Sequence, residues 1–238
     1  GFPEFPFRVS DKSRAFKKSG YYILRNSRCH MMISAGACGT GKSTLSLQFI
    51  QAGLQNGERR IFISLEEDED AIINNAATYG WDIRPHLEDK TLALVKLEPS
   101  DAKSTISRIN SELPSYIKNN DVKRVVFDSV SLLSMLFETN SERRSGLFEL
   151  CKHIKESGAT AFITAEVDPD NPDVSRDGLV EYVADGVILL RYNETSDGSD
   201  IQLSVRIVKM RRTSHSRRIK PYNITNNGIE VHSKAEVF

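Results

Sequence analysis

The stretch Met31-Met32-Ile33-Ser34-Ala35-Gly36-Ala37-Cys38-Gly39-Thr40-Gly41-Lys42-Ser43-Thr44 decides how the chain folds. Residues 31–35 form a short apolar run of strand character that breaks at Gly36. From residue 43 to 55 the apolar positions Leu45, Leu47, Phe49, Ile50 and Leu54 recur at mostly helical spacing. Between the two, residues 36–43 satisfy G-x-x-x-x-G-K-[ST]. Glycines let such a loop curl until successive backbone N–H groups point inward at phosphate oxygens, and the following helix adds the positive end of its dipole. Lys42 then brings a point charge to the β- and γ-phosphates, and Ser43 a hydroxyl ligand for Mg²⁺. Gly36, Gly39, Thr40, Gly41, Lys42, Ser43 and Thr44 are therefore the candidate nucleotide-binding residues of the loop.

Outward from this loop, short apolar runs alternate with helical stretches. Strands are expected at 61–65, 92–97, 124–127 and 160–165, and helices at about 69–79, 102–119 and 141–157, the second of these interrupted by a poorly tolerated Pro114. Such alternation calls for a mainly parallel sheet covered by helices on both faces. After Val187 the pattern changes to strands alone, at 187–192, 201–209, 221–225 and 229–232, joined by turns such as Asp197-Gly198 and Asn227-Gly228. These read as antiparallel additions at the sheet edge. Residues 1–20 are turn-rich and then basic, an N-terminal arm ahead of a single domain over 21–238.

The 238 residues are 39% hydrophobic and 27% charged, with mean hydropathy −0.37, as in a soluble globular protein. No apolar run approaches the roughly 18–20 residues of a membrane-spanning helix. Lys plus Arg and Asp plus Glu are 32 each, so the chain as a whole is not a polycation. The balance nevertheless hides a basic segment, because residues 206–220 contain Arg206, Lys209, Arg211, Arg212, Arg217, Arg218 and Lys220 and no acid. Cys29, Cys38 and Cys151 are odd in number, scattered and without a C-x-x-C pair, and the N-terminal residues do not read as a secretory signal. A reducing, cytoplasmic setting is the expectation. The histidines show no metal-ligand spacing.

A loop that holds triphosphate and Mg²⁺ needs a carboxylate near the metal, and the end of a neighbouring apolar strand is where one is expected. Asp128 closes the run Arg124-Val125-Val126-Phe127. Hydrolysis also needs a group to orient or deprotonate water, and Glu66-Glu67 closes the strand that follows the loop's helix. Neighbouring residues of an extended strand face opposite ways, so one of the two carboxylates faces the γ-phosphate, and the residues alone do not decide which. The acidic loop 168–173 follows the fifth strand and could sense the same phosphate.

Five separated stretches together resemble the RecA-like ATPases of the KaiC and archaeal RadA-paralogue group, over nearly the full chain. They are residues 36–43; Phe62-Ile63-Ser64-Leu65-Glu66-Glu67; Tyr79-Gly80-Trp81-Asp82; Val125-Val126-Phe127-Asp128-Ser129-Val130-Ser131; and Lys209-Met210-Arg211-Arg212-Thr213-Ser214-His215. The resemblance implies a RecA-like P-loop fold and an ATPase, with Glu66 as general base and Glu67 as its partner. It further implies that Lys209 and Arg211 reach across a subunit interface as fingers, that Thr213, His215, Thr225 and Asn226 lie at the neighbour's nucleotide, and that Thr78 lies beside the chain's own.

The expected activity is Mg²⁺-dependent ATP binding and slow hydrolysis in a homo-oligomer, a ring such as a hexamer or a filament, whose sites are shared between subunits. Two alternatives stand beside it. One is a recombinase paralogue in which ATP sets the affinity for single-stranded DNA. The other is a nucleotide-gated scaffold for a protein partner, with little turnover. No membrane is expected as a partner.

Overall fold

The computed structural model describes residues 8–9, 31–97, 102–135, 137–176, 178, 180–194, 198, 200–212 and 214–235. Arg8–Val9 is β1, Met31–Gly36 β2, Lys42–Leu54 α1, Arg59–Ser64 β3, Glu69–Thr78 α2, Arg84–Glu88 α3, Leu92–Lys96 β4 and Ala102–Asn119 α4. Val122–Asp128 is β5, Val130–Ser134 α5, Asn140–Ser157 α6, Thr160–Glu166 β6, Val180–Val183 α7, Gly186–Glu194 β7, Ile201–Met210 β8, Lys220–Thr225 β9 and Gly228–Val231 β10. The ten strands among the described residues join one sheet in the order β1-β10-β9-β8-β7-β2-β6-β5-β3-β4. The run from β7 to β4 is parallel throughout, whereas β8, β9 and β10 are each antiparallel to the strand before them.

Because side chains alternate across a strand, each parallel strand feeds two cores. Met31, Ile33, Val125, Phe127, Ala161 and Ile163 face one layer with Leu147, Leu150, Cys151 and Ile154 of α6. Met32, Phe62, Val126 and Phe162 face the other with Leu45, Phe49 and Ile50 of α1 and Ile72 and Ile73 of α2. Asp68 accepts from Ala71 N at the start of α2, and Thr139 with Glu142 forms a capping box on α6.

Two features differ from the pattern read along the chain. β7 is not an antiparallel addition: it pairs with β2 in parallel, from Met32↔Gly186 to Gly36↔Leu190. Its first five residues are buried, the continuous apolar run that parallel strands show. The described residues of the polar crossover that precedes it carry only the short α7, which leaves no helical periodicity to read. Pro114 lies inside α4 without ending it. Burial of Ile109 and Ile117 in the core offsets the roughly 3 kcal/mol that an interior proline costs.

Toward the sheet's N-terminal edge, beside the C-terminal end of α1, Arg60 and Arg124 are fully buried. Arg124 Nε meets Glu58 Oε2 at 2.6 Å, its Nη1 donates to Phe49 O at 2.7 Å, and its guanidinium lies 4.7 Å over the Phe49 ring. Arg60 Nη2 shares Glu58 Oε2 at 3.4 Å. Gly53 makes room for both, since a Cβ there would lie 2.4 Å from Arg60 Nε and 2.6 Å from Arg124 Nε.

Candidate active site

Strand β2 ends and α1 begins across a loop in which Gly39 and Gly41 take φ of +78° and +80°, a region open to glycine at little cost. Thr40 is buried and folds its hydroxyl back on Ala37 O at 2.8 Å. Lys42 reaches over the loop, its Nζ 3.0 Å from the same carbonyl. No side chain among the described residues caps α1, and its first turn carries no acid, so its leading N–H groups are left for an anion. Thr44 Oγ1 and Tyr79 OH are 2.9 Å apart, and the Tyr79 ring packs against Trp81 with centroids 4.9 Å apart. Thr78, exposed at the end of α2, keeps its hydroxyl on Asn75 O at 2.7 Å.

Register places the chemistry along the C-terminal edge of the sheet. Ser64 pairs with Asp128, and Gly36 with Glu166. Asp128 is buried and accepts a short hydrogen bond from Thr164 Oγ1, while the Asp128–Ser129 peptide is cis. Its carboxylate and the Ser43 hydroxyl are all-oxygen ligands of the kind Mg²⁺ takes, and so fit that ion.

Glu66 and Glu67 lie just beyond β3, not at its end. Ser64 Oγ accepts from the N–H groups of Glu66 at 3.2 Å and Glu67 at 2.8 Å, which turns the chain there. The two carboxylates diverge. Glu66 Oε1 accepts from Ser129 Oγ at 3.1 Å, beside the metal candidate Asp128, whereas Glu67 takes both oxygens to Asn75 Nδ2 on α2, at 2.9 and 2.8 Å. Burial raises the Glu66 carboxyl above its ordinary value and nearby Asp128 adds to the rise; the Ser129 hydrogen bond and the Lys42 charge oppose it, and Glu166 raises it further.

Glu166 was not among the residues singled out in the sequence. It closes the apolar strand β6 just as Asp128 closes β5, so the same strand-end rule could have found it. Its N–H donates to Ser131 Oγ at 2.9 Å, and Arg176 Nη1 lies 3.5 Å from its Oε2.

Lys209 and Arg211 are not brought to this loop. Lys209 pairs with Val187 and Met210 with Gly186, at the opposite, N-terminal end of β7. There Lys209 Nζ donates to Glu181 O and Arg211 Nη2 to Tyr182 O, each at 2.7 Å. His215 is half-buried beyond β8, and Thr213 lies outside the described residues. Thr225 ends β9 and Asn226 follows it in the turn to β10. Their hairpin, β9 and β10, packs on the chain's own phosphate loop: Tyr222 OH donates to Thr40 O at 2.5 Å, Gln48 bonds to Ile229, and a Cβ on Gly41 would meet Ile224 Cδ1 at 2.8 Å. Thr225 turns its hydroxyl inward to Gly228 O at 3.1 Å, and Asn226 is exposed at the tip. Loop 168–173 is folded back by a Val167↔Ser175 bridge, with Asp173 joined to Arg191 and, at 3.9 Å, to Arg206.

A phosphate loop with strand-end carboxylates on a parallel sheet extended by antiparallel strands is what the comparisons with known proteins return. The model of the KaiC ATPase family matches residues 25–236. The chain belongs to that family. It is 31% identical over 208 residues to the circadian clock oscillator protein KaiC of Synechococcus elongatus and 29% identical over 208 to that of Acaryochloris marina. Each alignment covers 83% of this chain but 39% of the relative, so the chain spans about two fifths of the curated KaiC proteins it matches. The crystal structure of a KaiC-like protein from the hyperthermophilic archaeon Pyrococcus horikoshii superimposes with a TM-score of 0.75 at 30% identity, covering 85% of this chain and 89% of that one. The fold is the RecA-like ATPase fold of these relatives, and the chain is a KaiC-family ATPase domain. Among the described residues no helix is long and apolar enough to cross a membrane.

Proposed function

We propose that this KaiC-family domain binds Mg²⁺·ATP through the loop 36–44 and hydrolyses it slowly, at sites completed by the next subunit of a homo-oligomer. The observation that carries the reading is the divergence of the two glutamates: Glu66 faces Ser129 and Asp128 on the phosphate side, and Glu67 is occupied by Asn75. Water positioned by Glu66 attacks the γ-phosphorus as the bridging P–O bond breaks. The proton goes to Glu66, whose carboxyl burial and Asp128 hold above its ordinary value. Lys42 offsets charge on the transferred group. Ser43 and Asp128 are the residues that would hold Mg²⁺, which when bound neutralises phosphate charge.

The position of Lys209 and Arg211, at the end of the sheet opposite their own loop, favours action on a neighbour's nucleotide, and the family resemblance assigns Thr213 and His215 to that nucleotide as well. Thr78 is assigned to the chain's own nucleotide, and Thr225 and Asn226, carried on the hairpin that rests on the chain's own loop, to the neighbour's. Unpaired Cys38 and Cys151 agree with a reducing cytoplasm. A second reading, in which single-stranded DNA is the partner, draws on the exposed Arg212, Arg217 and Arg218. Turnover measured with and without single-stranded DNA separates the two.

Glu66→Gln tests the assignment. ATP binding should persist while turnover falls by about 10²-fold or more, the usual worth of a general base. Undiminished hydrolysis would transfer the role to Glu67.

A further inference from the structure

The crossover from β6 to β7 links the nucleotide edge of the sheet to the opposite edge, where Lys209 and Arg211 stand. It leaves Glu166, which pairs with Gly36 of the phosphate loop, and Glu166 O accepts from Arg176 N at 2.8 Å. It arrives at α7, whose carbonyls of Glu181 and Tyr182 receive Lys209 Nζ and Arg211 Nη2. Between these ends lies a side-chain clasp. Ser175, buried to 1% exposure, donates its N–H to Glu181 Oε1 in a short hydrogen bond and its hydroxyl to Oε2 at 2.8 Å.

The clasp orients a very short helix. Four residues cannot hold a helical turn by their own hydrogen bonds, because the nucleus costs more than it returns. Outside contacts must fix α7: the Ser175 clasp holds its start, Lys155 its end, Val183 packs on the core, and Lys209 and Arg211 bond its carbonyls. Lys155 donates to Val183 O at 2.5 Å and to Asp185 Oδ1 at 3.1 Å. Without the clasp, the Glu181 carbonyl loses its fixed direction and Lys209 its anchor. Burial, Arg211 and Lys155 disfavour the Lys209 charge, while Asp185 and Glu181 oppose them, so Glu181 supports Lys209 through its carboxylate as well as its carbonyl.

We infer that Glu181 is a positioning residue for hydrolysis: clasped by Ser175, it aims Lys209 at the adjoining subunit's nucleotide and ties that aim to the β6 end of its own site. This rests on the reading of Lys209 as a finger acting in trans. A finger displaced by about 1 Å costs on the order of ten- to a hundred-fold in rate without weakening substrate binding at an intact phosphate loop.

The test is steady-state ATP hydrolysis by full-length Glu181→Ala, Glu181→Gln, Ser175→Ala and Lys209→Ala, each alone and mixed with Lys42→Ala subunits. Glu181→Ala should lower kcat about ten-fold with KM for ATP within about two-fold, and Glu181→Gln, which can still accept from Ser175, should recover most of it. Mixing Glu181→Ala with Lys42→Ala should raise activity per intact phosphate loop, because the Lys42→Ala subunits bring sound fingers. Ser175→Ala should behave alike with a smaller loss, and it carries the test should Glu181→Ala fail to fold. Rescue of Lys209→Ala but not of Glu181→Ala would overturn the inference and leave the finger reading standing. No rescue of either would overturn both, and wild-type kcat in Glu181→Ala would overturn the inference outright.

Discussion

The two ends of α1 face opposite demands. At its start, the N–H groups, Lys42 and the neighbouring carboxylates Glu66 and Asp128 stand at an edge open to ligand; Lys42 Nζ rests on the Ala37 carbonyl and Glu66 Oε1 on the Ser129 hydroxyl. At its end, Arg60 and Arg124 are withdrawn from water onto Glu58, the Phe49 carbonyl and the Phe49 ring. Both ends concentrate charge, yet one is arranged so that a phosphate completes it, and the other holds the helix on β3 and β5 with the chain's own groups while leaving Arg60 Nε and Nη1 without a hydrogen-bond partner among the described residues. The difference teaches where stability and chemistry are separated along 13 residues of helix.

The largest effect should come from breaking the closed end. Glu58→Ala removes the carboxylate shared by two fully buried guanidiniums. Breaking a buried pair on one side costs about 3–5 kcal/mol, because the charge that remains is uncompensated. Arg60 is already held down to about 10 by burial, with Glu58 the main opposing influence, so its loss leaves Arg60 still less able to stay charged. Equilibrium denaturation should show the loss. Adding Arg60→Met in the same chain should restore part of it, and a Glu58→Ala variant as stable as the parent would mean the arginines find other partners.

Lys42→Ala makes the converse cut. Turnover should fall by about 10²-fold or more, equivalent to about 2.7 kcal/mol of transition-state stabilisation, while denaturant stability moves by less than about 1 kcal/mol. Should the same variant lose several kcal/mol of stability, the open end would be a structural anchor as well, and the contrast between the two ends would collapse.

How much of each end could be read along the chain follows from the same contrast. The open end is written in local spacing: glycines where φ is positive, a lysine and a serine at the start of a helix, and carboxylates just past apolar strands. Asp128 was legible for that reason. Glu166 was passed over because an acidic loop follows it, although its strand ends in the same way. The closed end is not local. Arg60 and Arg124 sit inside strands as charged residues that ordinarily mark an exposed position, and their burial depends on Glu58 and on the missing side chain of Gly53. Nor did spacing reveal the turn at Ser64 that carries Glu66 and Glu67 beyond β3, since it hangs on one hydroxyl accepting two N–H groups. The parallel sense of β7 was hidden likewise, because the described residues of its crossover carry too little helix to read.

A smaller effect sharpens the comparison at the open end itself. Burial and Asp128 raise the Glu66 carboxyl above its ordinary 4.5, so the folded chain binds its proton more tightly than the unfolded chain does. Between 4.5 and the raised value the native state therefore carries more protons, and stability falls as pH rises through that window. Above the window the cost of ionising Glu66 is present in full; below 4.5 it is absent. Glu66→Gln stays neutral at every pH, so without nucleotide it should be more stable than the parent at pH 8, by less than about 1 kcal/mol given solvent screening at this exposed position. The gain should fade as pH drops toward 4. Denaturation of both chains across pH 4–8 reads the difference directly. If the curves stay parallel, Lys42 and Ser129 already compensate the Glu66 charge, and the open end stores no electrostatic cost. If they converge on acidification, the substitution that removes turnover also relieves the fold, and the carboxylate is kept charged at that edge for its chemistry at the expense of stability.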